Sequence, residues 1–173
     1  RLLFLGRWHP NKGVDLLLDA LGMLDDADWS RIEVIEIQGG GPMETLVRER
    51  VTALRAHGRP VELGRYLAKP EAEAAIARAD WVVIPSRIES IPVVFSDAMK
   101  LGRPVVASRV GDLPRLLDAS PACGILAAAA TPAALHVALH DALHVEPSGF
   151  FDAINARARM FELAASAERL WVE

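Results

Sequence analysis

Residues 81–85 read Trp81-Val82-Val83-Ile84-Pro85. Four consecutive apolar residues closed by a proline describe a strand covered on both faces, as in a parallel sheet held between helix layers. Its flanks agree: residues 70–79 are alanine-rich and predict a helix, and residues 93–101 predict another. Working outward, residues 2–5, 32–37, 61–63, 105–107 and 124–126 predict further strands, and 113–117 and 132–145 further helices. In residues 14–24, Val14, Leu17, Leu18, Leu21 and Leu24 recur at the spacing of one helical face. A helix opening at Pro42 buries Met43, Leu46, Val47, Val51 and Leu54. Strands separated by helices of this length require crossover connections, so the fold class is α/β, a Rossmann-like doubly wound parallel sheet. Residues 1–147 are assigned to that domain and residues 148–173 to a helical tail.

The 173 residues are 51% hydrophobic and 24% charged, which excludes a disordered or collagen-like chain. A net charge of −4 argues against a nucleic-acid partner held by bulk charge. The single cysteine, Cys123, has no partner for an internal disulfide, and no Cys/His set has zinc-finger spacing. A reducing, cytoplasmic compartment is the expectation. No apolar run approaches the ~20 residues of a membrane span. The chain opens at Arg1 directly into a strand, without Met or leader, and reads as part of something longer.

In such a sheet, ligands sit outside the carboxyl ends of the strands. The first strand runs into Gly6-Arg7-Trp8-His9-Pro10-Asn11-Lys12-Gly13, where Gly6 suits a tight turn and Arg7 and Lys12 flank a loop that enters a helix. Two cations near a helix start make a seat for a diphosphate; the alternative is a solvated loop with ordinary surface cations. The second strand runs into Gly39, Gly40, Gly41 and Pro42, which match neither the dinucleotide fingerprint nor a P-loop. These glycines either admit a ligand close to the backbone or form a plain turn. After Ile84 comes Pro85-Ser86-Arg87-Ile88-Glu89-Ser90-Ile91-Pro92-Val93-Val94-Phe95-Ser96-Asp97. Ser90 suits a cap for a helix that Pro92 begins, with the amides near Val93 and Val94 turned toward the crevice. Asp97 lies roughly 9 Å along from that helix start. Glu89 and Asp97 are too far apart to share a proton, but suit two hydroxyl-bearing ends of one long ligand with a phosphate between them. The alternative is a helix cap and a surface acid.

These segments, with Gly102-Arg103-Pro104-Val105-Val106-Ala107-Ser108 and Val110-Gly111, together resemble the C-terminal domain of retaining glycosyltransferases of family 4, the glycosyl transferases group 1. The resemblance covers nearly the whole chain. It implies one half of a GT-B fold, two Rossmann-like domains facing a cleft, in which the C-terminal half binds a nucleoside diphosphate sugar. It implies Arg7, Lys12 and Glu89 as the catalytic set, with Arg7 and Lys12 on the diphosphate and Glu89 on the donor sugar. Gly6, Gly41, Tyr66, Ile91, Pro92, Val93, Val94 and Asp97 would bind the donor, Asp97 at the ribose and the turn at Tyr66 beside the base. No metal and no cofactor beyond the donor substrate are implied. The acceptor, a glycan, lipid or small molecule, would bind an N-terminal domain that this chain lacks. The chain alone is therefore expected not to transfer sugar, and the full-length protein to approach the inner face of a membrane. Asp97 stands where the family has Glu, Asp112 where a glycine is common, and Arg115 where an acid is common. The Asp97 and Asp112 departures suit a non-catalytic sugar-nucleotide module as the alternative, against which Arg7, Lys12 and Glu89 argue. Another GT-B enzyme, such as a sugar-nucleotide epimerase, would need an acid/base set that the strand ends do not offer.

His136, His140 and His144 follow at steps of four, with Asp141 and Glu146 nearby. A pair so spaced is able to chelate zinc or nickel, but an exposed helix stripe is the expectation. Arg48, Arg50, Arg55 and Arg59 interleave with Glu44 and Glu49, as on a solvated helix face. Trp8, Trp29, Trp81 and Trp171 are expected to pack rather than to stack on a ligand.

Overall fold

The structure, a computed structural model, describes residues 1–118 and 121–161, Met160 without its side chain. Six strands form one parallel sheet: β1 (Leu2–Arg7), β2 (Ile35–Gly40), β3 (Val61–Leu63), β4 (Trp81–Ile84), β5 (Val105–Ser108) and β6 (Gly124–Ala127). Their order across the sheet is β3-β2-β1-β4-β5-β6, all parallel neighbours. This is the doubly wound Rossmann order, and it reverses between β1 and β4. Helices α1 (Val14–Leu21), α2 (Asp26–Ser30), α3 (Glu44–Ala56), α4 (Lys69–Arg78), α5 (Val93–Lys100), α6 (Leu113–Leu117), α7 (Pro132–Leu143) and α8 (Phe151–Ala158) cover it.

The period of two along β1 divides the core. Leu2 and Phe4 face a cluster built with α1, α3 and α7, and Leu3 faces a second built with α4, α5, α6 and α8. Both clusters are built of apolar side chains, and β4 and the first half of β1 between them read as continuous apolar runs. Trp8, Trp29 and Trp81 are buried as packing residues, and Trp171 lies outside the described residues. The described part of the tail lies against the domain: Phe150 meets Trp81 edge-on at 5.3 Å, and Phe161 meets Phe95 at 5.9 Å. Among the described residues, no helix is long and apolar enough to cross a membrane.

Element boundaries differ from expectation where tertiary pairing outweighs local pattern. Gly6 and Arg7 do not turn; they continue β1 opposite Gly39 and Gly40, so those glycines belong to β2. β2 begins at Ile35, because the Ile32 amide still donates to the Trp29 carbonyl at the end of α2. The short α2 lies in a stretch of acids with no apolar period. Asp25 caps it by accepting the Asp28 amide at 2.8 Å, and burial of Trp29 anchors it. α3 begins at Glu44 rather than Pro42, since the Met43 amide donates to the Trp8 carbonyl.

Glu36, buried in β2, accepts two hydrogen bonds from Arg78 at 3.1 and 2.7 Å, one from Arg1 at 3.1 Å and one from Gln38 at 3.2 Å. The Arg78 bonds hold its carboxyl below the ordinary glutamate range against the opposing effect of burial, with Arg1 and Gln38 adding to them. A depressed folded value means stability that is present above the unfolded value, about 4.3, and lost as pH falls through the folded one. Glu36→Gln is therefore expected to cost stability at pH 7 and to flatten the loss between about pH 5 and the acid limit. Urea unfolding across that range checks it; a parallel displacement of the whole profile would contradict the assignment.

Candidate functional site

At the point of reversal, the loop after β1 and the loop after β4 are tied together. The Arg87 amide donates to the Asn11 carbonyl at 2.8 Å. The Arg87 guanidinium donates to both oxygens of Asp15 at 2.8 and 2.7 Å and to the Pro10 carbonyl at 2.7 Å. Burial pushes the Asp15 carboxyl up, but the hydrogen bonds and charge of Arg87 outweigh it and leave the group below its ordinary value. Such a bidentate pair fixes geometry as well as charge. Arg87 and Asp15 were not among the sequence candidates; their partnership spans 72 positions and has no local signature.

The tie brings two of the expected residues into contact. Lys12 Nζ donates to Glu89 Oε1, which also accepts the Ser86 hydroxyl at 3.0 Å. The Glu89 side chain is only 9% exposed and that of Lys12 39% exposed. Glu89 does not cap α5, and neither does Ser90: the N-cap is Pro92 in an extended conformation, with no side-chain cap bond. The Val93 and Val94 amides have no acceptor among the described residues, because the first helical bonds run from Phe95 and Ser96 to the Pro92 carbonyl. Val93 and Val94, which carry these free amides, line one cavity of about 190 Å³ together with Gly6, Lys12, Ser86, Glu89 and Pro92. Its floor is the apolar ends of β1 and β4. A charged rim over an apolar floor, with free amides at a helix start, suits an anionic group attached to a polar body.

The remaining candidates stand outside that cavity. Arg7 closes β1 and is exposed. Ile91 is an exposed residue of the lip before α5. With the helix starting at Val93, Asp97 lies about 6 Å along its axis, half-buried, its carboxylate without a hydrogen bond among the described residues. Gly41 and Tyr66 form a second group, beyond β2. The Tyr66 hydroxyl donates to the Gly40 carbonyl at 2.6 Å. Gly41 has φ of 148°, and a Cβ there would stand 2.7 Å from the Trp8 carbonyl, so only glycine fits. Trp8 links the two groups: its amide donates to the Gly40 carbonyl and its carbonyl accepts the Met43 amide. Asp112, one of the departures, donates its amide to the Ser90 carbonyl, and its carboxylate pairs with Arg115, another departure, at 3.3 Å.

A larger groove, about 540 Å³, lies at the opposite end of the sheet between α1, α2 and α3. Two arginines on its wall are already paired, Arg50 with Asp19 and Arg59 with Asp26.

A doubly wound parallel sheet whose polar crevice opens where the strand order reverses defines a Rossmann-like α/β domain. The chain belongs to the glycosyl transferases group 1 family, whose model matches residues 1–144. It is 35% identical over 180 aligned positions to D-inositol 3-phosphate glycosyltransferase of Corynebacterium glutamicum, covering 96% of this chain and 41% of that protein. To MMP alpha-(1->4)-mannosyltransferase of Mycolicibacterium hassiacum it is 33% identical, covering 68% of this chain and 28% of that one. It thus spans less than half the length of these relatives. Among solved structures, the catalytic domain of Starch Synthase IV from Arabidopsis thaliana, bound to ADP and acarbose, superposes with a TM-score of 0.75 at 19% identity. That match covers 98% of this chain and 36% of the other. The catalytic domain of cholesterol-alpha-glucosyltransferase from Helicobacter pylori gives 0.70 at 16% identity, covering 92% and 95%. The Rossmann-like fold read from the sequence is borne out, as is membership of the glycosyl transferases group 1.

Proposed function

We propose that this chain is the donor-binding, C-terminal half of a GT-B glycosyltransferase that moves a sugar from a nucleoside diphosphate sugar to an acceptor with retention of anomeric configuration. The observation that carries the reading is that Val93 and Val94, whose amides are unpartnered among the described residues, line the same cavity as Lys12 and Glu89. The similar Starch Synthase IV domain binds ADP, which supports a nucleoside diphosphate as the ligand class.

In this reading the diphosphate lies across the start of α5. Its oxygens accept the Val93 and Val94 amides and take Lys12 from Glu89 as a counter-ion, with Arg7 adding charge from the rim. Glu89, released from Lys12, faces the sugar, where an oxocarbenium-like centre develops. Asp97 reaches the ribose, and the turn at Tyr66 borders the base. Leaving-group departure builds negative charge on the diphosphate, and preorganised amides and cations stabilise it without a metal. Retention follows from attack by an acceptor hydroxyl on the face from which the diphosphate leaves: the bond from the anomeric carbon to the diphosphate breaks, that to the acceptor oxygen forms, and the hydroxyl proton passes to the departing phosphate oxygen, without a protein nucleophile. The acceptor is held by the rest of the protein.

Isothermal titration of the chain with a nucleoside and its diphosphate tests the reading. Tighter binding of the diphosphate, by about tenfold or more, is expected, since each charge-assisted hydrogen bond is worth about 1.5–3 kcal/mol. Equal affinities would remove the phosphate seat and the function built on it.

A further inference from the structure

The C-terminal end of α7 lies beside α2, at the end of the sheet where the strands begin and away from the crevice. There Asp28 of α2 is turned inward, its side chain only 3% exposed. An acid so buried is costly unless paired. Both of its neighbours are imidazoles: His140 Nδ1 stands 2.9 Å from Asp28 Oδ1, and His144 Nδ1 stands 4.0 Å from the same oxygen. The two rings, one helical turn apart, lie with centroids 4.3 Å apart and planes 34° apart. One ligand atom from each of the three residues lies within 4.8 Å of those of the other two.

We propose that Asp28, His140 and His144 form a binding site for a divalent transition-metal ion of the zinc class. An ordinary ion pair would need one histidine; here a second, His144, brings its Nδ1 to 4.0 Å from the same carboxylate oxygen. Tetrahedral zinc, with bonds of about 2.0–2.2 Å, sets its ligands about 3.3–3.5 Å apart, and the observed 2.9 and 4.0 Å bracket that spacing. Two imidazoles and a carboxylate are a donor set that zinc favours, and a fourth position is left to water, since both rings are partly exposed. Metal-free, His140 Nδ1–H donates to Asp28 and His144 Nδ1–H donates to the His140 carbonyl at 2.8 Å. Binding through Nδ1 moves each ring proton to Nε2 and leaves the imidazoles neutral. Arg31 donates to the Leu143 carbonyl at 3.5 Å and holds the two helix ends in register before any ion arrives. The acid comes from position 28 and the imidazoles from a helix more than a hundred residues later, so the site exists only in the folded chain. Its effect is to bolt α2 to α7, and it stands independently of the donor crevice.

Zinc ion alone is the probe, added to the chain after treatment with chelator. Calorimetry is expected to give one ion per chain. At about a hundredfold excess over the dissociation constant, the melting temperature is expected to rise by about 5–10 °C. His144→Ala leaves the Asp28–His140 pair in place and so keeps the fold, and it is expected to lose at least about tenfold in zinc affinity. Asp28→Asn, which keeps the shape but removes the charged ligand, is expected to lose as much. No binding at one equivalent by the unaltered chain would overturn the proposal. So would unchanged affinity in His144→Ala, which would place the ion at other histidines such as His9 or His57.

Discussion

Glu89→Ala in the full-length protein is expected to lower sugar-nucleotide turnover by about 10²–10³-fold, the usual cost of losing one electrostatic stabiliser of a developing charge. Affinity for the free nucleoside diphosphate is expected to stay level or to tighten. The reason is the Lys12–Glu89 pair: without the carboxylate, Lys12 is left uncommitted on the cavity wall. Lys12→Ala should fail differently. On the proposed reading it removes a cation that the diphosphate meets both before and during departure, so donor and free nucleotide should both bind about one to two decades more weakly. It also leaves Glu89, 9% exposed, with the Ser86 hydroxyl alone, so the variant should melt lower as well. Because the residues touch, their effects should not add, and the double variant should be milder than the sum of the singles. Turnover, nucleotide affinity and melting temperature on the three variants separate these roles. If Glu89→Ala retained full turnover, Glu89 would be a mere partner of Lys12.

Gly13→Ala is expected to be the most damaging single methyl in the domain. Gly13 ends the 3-10 turn Pro10–Lys12 and opens α1 with φ of 67°, where alanine pays roughly 1–2 kcal/mol. The added Cβ would stand 1.9 Å from the Pro85 carbonyl, a backbone atom with no rotamer to yield. Overpacking of that kind costs about 1–3 kcal/mol more. The sum predicts a fall in melting temperature on the order of 10 °C for a domain of this size. Gly22→Ala is the matched control, since Gly22 has φ of −66° and its nearest neighbour would be 3.4 Å away. Equal melting of the two variants would show that the β1 and β4 loops are not held as tightly as their contacts indicate. Because Lys12 precedes Gly13, nucleotide affinity should fall along with stability.

Much of this was legible in the chain because it is local. The run from Trp81 to Ile84 has no polar residue to give a solvent face, so it had to be a covered strand, and the helical spacing around it required crossovers. Lys12, Glu89, Val93 and Val94 were singled out because strand ends in such a sheet are where ligands gather, and the segments after β1 and β4 that carry them do line one cavity. Boundaries were less legible. Gly6, Arg7, Gly39 and Gly40 look like turn residues, yet they pair as strand, because two adjacent backbones satisfy one another whatever their side chains. α2 went unseen because the acids at its start, Asp25, Asp26 and Asp28, hide a single anchoring Trp29.

The sequence by itself thus determined the α/β class, the strands and helices that carry it, and the crevice-bordering positions, since period, run length and strand-end position are properties of neighbours along the chain. Only the tertiary structure decided how those positions meet. It joined Lys12 to Glu89 across 77 residues, clamped Arg87 onto Asp15 across 72, and set His140 on Asp28 across 112. No spacing rule reaches so far. Which side chains converge depends on the order β3-β2-β1-β4-β5-β6 and on the direction of each crossover, and burial then makes those particular partners the available ones.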